Sequence, residues 1–244
     1  MLAATAAVLS LIFIPLLIKF SARFALMDKP GSRKLHAKPV PVVGGIAIAV
    51  CTGISFLFSP ASSVLIKEYP VLIFTCLMML FTGVWDDRKN LSPFYRLGIQ
   101  LFCAFAIAAS GIRLTSFYGL FGIDEIDIIW QYILTILIIT GVTNAFNLMD
   151  GIDGLAGGLA FINVFILTVI SLMVKQYSVF MLLAAMQGAI TGFLKYNRHP
   201  AKIFMGDGGS MMLGFLMPSV SILLIESAGN DNYSNMGYII SVTC

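Results

Sequence analysis

The sequence has very little charge and almost no histidine. Only 11% of its 244 residues are Asp, Glu, Lys or Arg, whereas 59% are hydrophobic. No soluble fold of this size can bury so much apolar surface, so the composition excludes a soluble domain. Its two histidines, His36 and His199, do not lie at metal-ligand spacing, which excludes a histidine-pair metal motif.

Cysteine pairs and phosphate-loop motifs are also missing. Cys51, Cys76 and Cys103 lie inside apolar runs, and no two of the four cysteines form a CxxC pair. A disulfide framework and a cysteine metal site are therefore excluded. The string GDGGS at 206–210 is not followed by Gly-Lys-Ser/Thr, so it is not a Walker phosphate loop.

What the chain has instead is a series of apolar runs of about the length that crosses a bilayer as a helix. The sequence predicts an all-α, polytopic transmembrane helix bundle with about eight complete spans and the start of a ninth. It forms one integral membrane domain over residues 1–244, which we expect to be incomplete at the C-terminus because half a helix leaves backbone groups unpaired in lipid. The runs lie at 2–18, 40–59, 69–85, 97–110, 128–146, 155–174, 177–194, 209–225 and, begun only, 236–244.

Basic residues gather in alternate loops and predict the orientation of the chain. The loops at 19–39, 86–96, 144–154 and 195–208 carry 12 of the 15 lysines and arginines. By the positive-inside rule these loops face the cytoplasm and the N-terminus lies outside. The opposite loops carry only Lys67, Arg113 and Lys175.

The basic loops also hold acidic residues at helix ends. Carboxylates at the membrane boundary are costly to dehydrate unless they are paired or ligated, so their clustering predicts a site. Together with lysines and arginines they favour joint binding of a metal and a phosphorylated substrate. An ion-coupled transporter is the rival interpretation, but it would place acids near the bilayer midplane in two matching halves. The acids are Asp28, Asp86, Asp87, Asp150, Asp153 and Asp207.

Two of these segments allow a structural as well as a functional interpretation. The stretch NAFNLMDGIDG at 144–154 repeats Asn or Asp every three residues, which places neighbours together on a helix surface. It also fits a helix end that is capped by Asn or Asp and stopped by glycine. Asp86 and Asp87 would bind a cation or position a nucleophile, or be solvated acids at a helix end.

Four motifs in register resemble the polyprenyl-phosphate N-acetylhexosamine-1-phosphate transferases of glycosyltransferase family 4. They are PVVGG at 41–45, DDRKNLSP at 86–93, NAFNLMDGIDGLAGG at 144–158 and NRHPAKIFMGDGGS at 197–210. The first loop is more similar to the undecaprenyl-phosphate GlcNAc-1-phosphate transferases than to the phospho-MurNAc-pentapeptide translocases. The family's HxHH-type motif is not present, so the resemblance also allows an inactive, truncated homologue that binds nucleotide sugar.

The resemblance implies a role for individual residues. Asp86 and Asp87 match the catalytic pair that engages the lipid phosphate, and Asn147 and Asp207 match positions associated with Mg2+. Asp153 falls on the uracil side, Phe204 matches the aromatic that stacks on uracil, and Arg96 matches a phosphate contact. The substrate-binding set is Lys38, Arg96, Asn144, Asp150, Asp153, Asn197 and Phe204.

The resemblance also implies a reaction and a location. GlcNAc-1-phosphate would pass from UDP-GlcNAc to undecaprenyl phosphate, giving undecaprenyl-diphosphate-GlcNAc and UMP. Mg2+ is the expected cofactor, with Mn2+ as the alternative. The expected partners are the two substrates, the bilayer and, in a homodimer, a second copy, with no nucleic acid. The site would face the cytoplasm from the bacterial inner membrane, at the first lipid-linked step of O-antigen, common-antigen or teichoic-acid synthesis.

Overall fold

The computed structural model describes residues 1–28, 39–119 and 125–230, and within these ranges it is almost entirely helical. Two short strands, β1 at Met27–Asp28 and β2 at Val40–Pro41, pair antiparallel. The helices are α1 Leu2–Ser21, α2 Gly44–Leu57, α3 Ala61–Glu68, α4 Pro70–Lys89, α5 Pro93–Ala109, α6 Ile128–Met149, α7 Leu155–Met173, α8 Tyr177–Asn197 and α9 Gly206–Asn230.

Six of these helices are long and apolar enough to cross a membrane, which confirms a helical bundle but falls short of eight complete spans. The count rises to seven if α2 and α3 form one bent span. Helix α2 has 14 residues and α5 has 17, so each is shorter than the roughly 20 residues of a full crossing. Residues 236–244, where a ninth run begins, lie outside the described part of the chain.

The second apolar run, 40–59, ends at a sharp bend at Ser59 and Pro60. Helices α2 and α3 meet there at 111°. Pro60 cannot donate a backbone hydrogen bond, and the Ser59 side chain accepts one from the amide of Ala61 at 3.3 Å, which starts α3 in a new direction. The sequence predicted that the run ends at residue 59, but it did not reveal α3, because that helix has only eight residues.

Helix α9 forms the centre of the bundle. About 94% of its apolar window is buried, compared with 28% for α6 and 17% for α1. It packs against α4, α6, α2 and α7. Since α9 begins at Gly206, its first turn is enclosed by the ends of the surrounding helices.

The described parts of the four polar loops meet around that first turn, at what we call the polar end of the bundle. The amides of Gly44 and Gly45 donate to the carbonyls of Phe204 and Met205 at 3.0 and 2.8 Å. The amide of Gly154 donates to the Asn197 side chain at 3.1 Å. The described parts of these loops therefore share one end of the bundle, and the cytoplasmic orientation of that end stays a prediction.

Candidate active site

Asp86 is a buried carboxylate that is held by the turn between α4 and α5. Asn90 adopts a left-handed conformation with φ 49° and turns the chain back, so that α5 starts beside the end of α4. The Leu91 amide then donates to Asp86 at 2.6 Å, and the Arg96 guanidinium donates to it at 2.6 Å. Asp86 is only 3% exposed. Its main contacts are already made within the protein, so it anchors Arg96 rather than facing open space.

Asp87 points instead at the beginning of α9. One carboxylate oxygen accepts from the amide of Asp207 at 2.9 Å, and the other accepts from the amide of Gly208 at 3.1 Å. Gly206 has φ 76°, and a Cβ atom there would come within 2.8 Å of the Asp87 carboxylate. Only glycine therefore allows both this backbone conformation and this approach.

The first amides of α9 are occupied by carboxylates of the chain itself. Unpaired amides at the start of a helix commonly face an anion. The structure gives the Gly206 amide to Asp150 at 2.8 Å and the next two amides to Asp87. A bound anion would have to displace these carboxylates to reach the helix terminus.

Asn147, Ser210 and Asp207 form a second contact between α6 and α9. The Ser210 hydroxyl donates to the Asn147 side-chain oxygen. Asp207 lies one turn earlier on α9, and its carboxylate is 3.9 Å from the Arg96 guanidinium. The predicted metal pair, Asn147 and Asp207, is thus brought to the same place as the predicted catalytic pair.

Negative charge exceeds positive charge at this place. Burial raises the pKa of Asp150 well above its ordinary range, the Gly206 amide opposes the shift, and the nearby charges of Asp207 and Asp87 add to it. Among the described residues, Arg96 is the cation that forms ion pairs with Asp86 and Asp207. A bound divalent cation would relieve the repulsion.

The residues at the polar end fit Mg2+, which needs only a few protein ligands, better than a metal whose ligands all come from the protein. In the described part of the chain, no three His, Cys, Asp or Glu side chains form a ready metal-binding group. Mg2+ commonly keeps several waters and uses one or two carboxylates together with substrate phosphates. Asp207 with Asn147 is such a partial set of oxygen ligands, which a diphosphate would complete.

Asp153 and Asn197 order the neighbouring loop. The Asp153 carboxylate contacts the His199 ring at 2.9 Å and accepts from the Ala201 amide at 3.0 Å. Asn197 is 3% exposed, and its side-chain nitrogen donates to the carbonyl of Ile203 at 2.9 Å. Phe204 pairs with Val42 through its backbone. Asn197 therefore supports this loop, and its contact with a substrate stays a prediction.

Asn144 is tied to α5 rather than to α9. Its side-chain nitrogen donates to Gln100 at 2.8 Å and to the carbonyl of Thr140 at 2.9 Å. Gln100 is 2% exposed, and the Thr140 hydroxyl is buried without a partner among the described residues. Lys38, the remaining predicted substrate contact, lies outside the described residues.

Sequence reasoning missed two residues of this site, Gln100 and Ser210. Gln100 is a polar residue inside the apolar run 97–110, one helical turn after Arg96, and that position was a usable signal. Ser210 ends the GDGGS string, three residues after Asp207, and so shares its helix face.

The free energy of unfolding is expected to fall as pH rises above the ordinary pKa of an aspartate, in part because of Asp150. Its folded-state pKa is raised, so between the two values the folded chain binds more protons than the unfolded chain. Asp150→Asn removes this contribution, and its advantage in unfolding midpoint should grow over the range of pH above about 4. Thermal unfolding in detergent without divalent cations measures this. A constant difference across that range would contradict the prediction.

Gln100→Leu is expected to lower turnover about tenfold, by releasing the Asn144 side chain from its position. A double-mutant cycle with Asn144→Ala, carried out on turnover, measures the coupling free energy between the two residues. We expect it to be about 1 kcal/mol, because one partly buried hydrogen bond joins them. Additive effects of the two substitutions would show that Gln100 acts independently of Asn144.

Comparisons with known proteins place these features in a family. The profile of glycosyl transferase family 4 matches residues 69–225. The chain is 35% identical over 215 residues to a probable undecaprenyl-phosphate N-acetylglucosaminyl 1-phosphate transferase of Bacillus subtilis (strain 168), covering 87% of this chain and 59% of that protein. It is 33% identical over 229 residues to an undecaprenyl-phosphate alpha-N-acetylglucosaminyl 1-phosphate transferase of Salmonella typhi, covering 91% and 61%.

A second type of relative is named for N-acetylmuramoyl-pentapeptide instead of N-acetylglucosamine. A phospho-N-acetylmuramoyl-pentapeptide-transferase of Bacillus cytotoxicus is 33% identical over 229 residues, covering 88% of this chain and 71% of that protein. The chain spans about 60% of the length of the two N-acetylglucosaminyl relatives. All three relatives are similar over most of this chain.

Proposed function

The chain belongs to glycosyl transferase family 4, and from this membership we propose that it transfers GlcNAc-1-phosphate from UDP-GlcNAc to undecaprenyl phosphate. The products would be undecaprenyl-diphosphate-GlcNAc and UMP. The observation that carries the proposal is the meeting of Asp87, Asp150 and Asp207 with Arg96 at the start of α9. Alignment and charge neutralisation are the main requirements of phosphoryl transfer, and this cluster can provide both.

In the proposed reaction, an oxygen of the lipid phosphate attacks the β-phosphorus of UDP-GlcNAc. The bond from that phosphorus to the bridging oxygen breaks, and UMP leaves. A phosphate monoester has a second pKa near about 6, so at neutral pH the attacking group is already largely deprotonated. Asp87 therefore need not remove a proton. Its role is to fix the start of α9 and the approach of the two phosphates.

The other residues divide between the phosphates and the base. Arg96 is held by Asp86 and would neutralise phosphate oxygens. Asp153 and Phe204 would receive the uracil, on a loop that Asn197 supports. Asn147 and Asp207 would hold Mg2+, which when bound would offset the negative charge of the diphosphate.

The proposed orientation places the polar end in the cytoplasm and the N-terminus outside, as the distribution of basic residues predicts. With the α2 and α3 pair and α5 as short crossings, the described chain would cross the bacterial inner membrane eight times. A site at this boundary suits one lipid substrate and one water-soluble substrate.

The proposal is tested by transfer of labelled sugar into solvent-extractable lipid. Membranes containing the chain, undecaprenyl phosphate and Mg2+ are given either UDP-GlcNAc or UDP-MurNAc-pentapeptide, with Asp207→Asn as the background. Label from UDP-GlcNAc alone, lost without Mg2+ and in the variant, is the expected result. Label from UDP-MurNAc-pentapeptide alone would show that this nucleotide, and not UDP-GlcNAc, is the donor.

The length of the relatives calls for a second arm of the experiment. The chain is also extended with the C-terminal segment of the Bacillus subtilis relative. Transfer that appears only in the extended chain would show that the described cluster is sound but insufficient alone. Nucleotide binding without transfer in both would favour a binding role, and no binding in either would overturn the proposal.

A further inference from the structure

A lateral groove lies between α1, α7 and α8, apart from the α4, α6 and α9 contacts of the candidate active site. Its volume is about 490 Å³, and its apolar lining includes Ala7, Leu11, Phe161 and Leu194. Helices α1 and α8 are joined beside it by hydrogen bonds from Ser10 to the carbonyl of Ala189 at 3.1 Å and from Tyr196 to that of Leu11 at 3.2 Å. The groove is therefore built into a close helix contact.

Two cations lie at the end of this groove. Lys195 is in the last turn of α8 and Arg198 follows the helix, and both line the groove and are exposed. Among the residues that the structure describes, neither forms an ion pair. They lie at the polar end, so the groove runs from the membrane boundary toward the apolar part of the bundle.

We propose that this groove binds an anionic glycerophospholipid, with an acyl chain along its apolar lining and the phosphate between Lys195 and Arg198. Basic pockets between membrane helices on the cytoplasmic side are the usual form of an anionic headgroup site. A zwitterionic lipid would bring the same acyl chains but no net negative charge. The two cations of the groove therefore favour an anionic headgroup, while its apolar lining accommodates the acyl chain.

The position of the groove also connects it to the loop that Asn197 supports. Asn197 lies between Lys195 and Arg198 in sequence, and its buried side chain holds both Gly154 and Ile203. A phosphate bound by the two cations would restrain the last turn of α8 and, through it, this loop. The lipid would thus stabilise the fold as well as occupy the groove.

Native mass spectrometry of the detergent-purified chain tests the proposal. The chain is titrated with phosphatidylglycerol or phosphatidylcholine carrying identical palmitoyl and oleoyl chains. Each cation near a membrane surface attracts anionic lipid. Two such cations should together give at least about a tenfold higher affinity for phosphatidylglycerol than for phosphatidylcholine. In the double variant Lys195→Gln with Arg198→Gln, this preference should fall to near one.

The matched control is Lys19→Gln, because Lys19 is also an exposed cation in the last turn of a helix. It does not line the groove and should leave the preference unchanged. A second variant, Thr191→Phe, places a ring at an exposed groove position and keeps both cations. It should weaken binding of both lipids, and it decides the question if the double variant does not fold.

Three results would overturn the proposal. The first is a preference for phosphatidylglycerol that survives the double variant, or binding of both lipids that Thr191→Phe leaves unchanged. The second is an equal loss in Lys19→Gln, which would indicate general surface attraction. The third is a dimer that Thr191→Phe dissociates with or without phosphatidylglycerol, which would show that a second copy fills the groove.

Discussion

Asp87→Asn is expected to reduce sugar-phosphate transfer about a hundredfold while changing the unfolding midpoint only slightly. The size follows from the positioning role of Asp87, because a displacement of about 1 Å in a catalytic arrangement can cost about that much in rate. Asp87 is the member of the acidic pair that faces Asp207 and Gly208. An asparagine keeps one oxygen for these amides, but it removes the negative charge and turns an NH2 group toward a donor.

The small effect on stability has a physical reason. Loss of a charge-assisted hydrogen bond costs about 1.5 to 3 kcal/mol. The same substitution removes a negative charge close to Asp150 and Asp207, which relieves repulsion in a partly buried place. The two effects have opposite signs, so the fold is expected to persist in the variant.

Asp86→Asn is the matched control, because the two aspartates are adjacent and have different partners. It weakens the contacts of Asp86 with Arg96 and Leu91, both at 2.6 Å. We expect it to lower the free energy of unfolding by about 1 to 3 kcal/mol, since a buried acceptor loses its charge. Transfer assays and thermal unfolding on both variants measure how the loss of transfer and the loss of stability differ between them. Near-normal transfer by Asp87→Asn would contradict the prediction and show that Asp87 only caps the start of α9.

The difference between Asp86 and Asp87 shows what sequence could not supply. Adjacent residues on a helix point about 100° apart, so only one of a pair can face a given neighbour. The DD motif located both carboxylates at a helix end, but their partners depend on where α5 and α9 begin. Those positions follow from the left-handed Asn90 and from Gly206, whose effects on tertiary contacts are not visible in a local pattern.

The bundle itself was more accessible to sequence reasoning than its details. Apolar runs located α1, α4, α6, α7, α8 and α9, because lipid demands long apolar helices. The alternation of basic loops predicted that the polar segments would share one end. The bend between α2 and α3 was missed because α3 has only eight residues and does not form an apolar run of its own. The contact of Gln100 with Asn144 was missed because it depends on packing between helices distant in sequence.

Gly83→Ala is expected to abolish at least 99% of transfer and to destabilise the fold, although it adds a single methyl group. A Cβ atom at residue 83 would lie 2.2 Å from the carbonyl oxygen of Asp207 and 2.5 Å from the Cα atom of Gly208. Both are backbone atoms of α9, so no side chain can rotate away. Helices α4 and α9 would have to separate, and overpacking of this kind costs about 1 to 3 kcal/mol.

The loss of transfer follows from the position of Gly83 on α4. It lies one turn before Asp87 on the same helix face, so separating the helices here pulls Asp87 away from the amides of Asp207 and Gly208. A displacement of about 1 Å in a catalytic arrangement can cost about a hundredfold in rate. The variant should therefore lose transfer even at temperatures where it remains folded.

Gly98→Ala on α5 provides the control, because a Cβ atom there meets no heavy atom within 4 Å. Alanine is favoured over glycine in a helix by up to about 1 kcal/mol, so this variant should be as stable as the parent chain or more so and keep its activity. Thermal unfolding and transfer below the unfolding midpoint compare the two variants. Equal behaviour of Gly83→Ala and Gly98→Ala would mean that α4 and α9 can separate without consequence, and that the contact between Asp87 and α9 is not required for turnover.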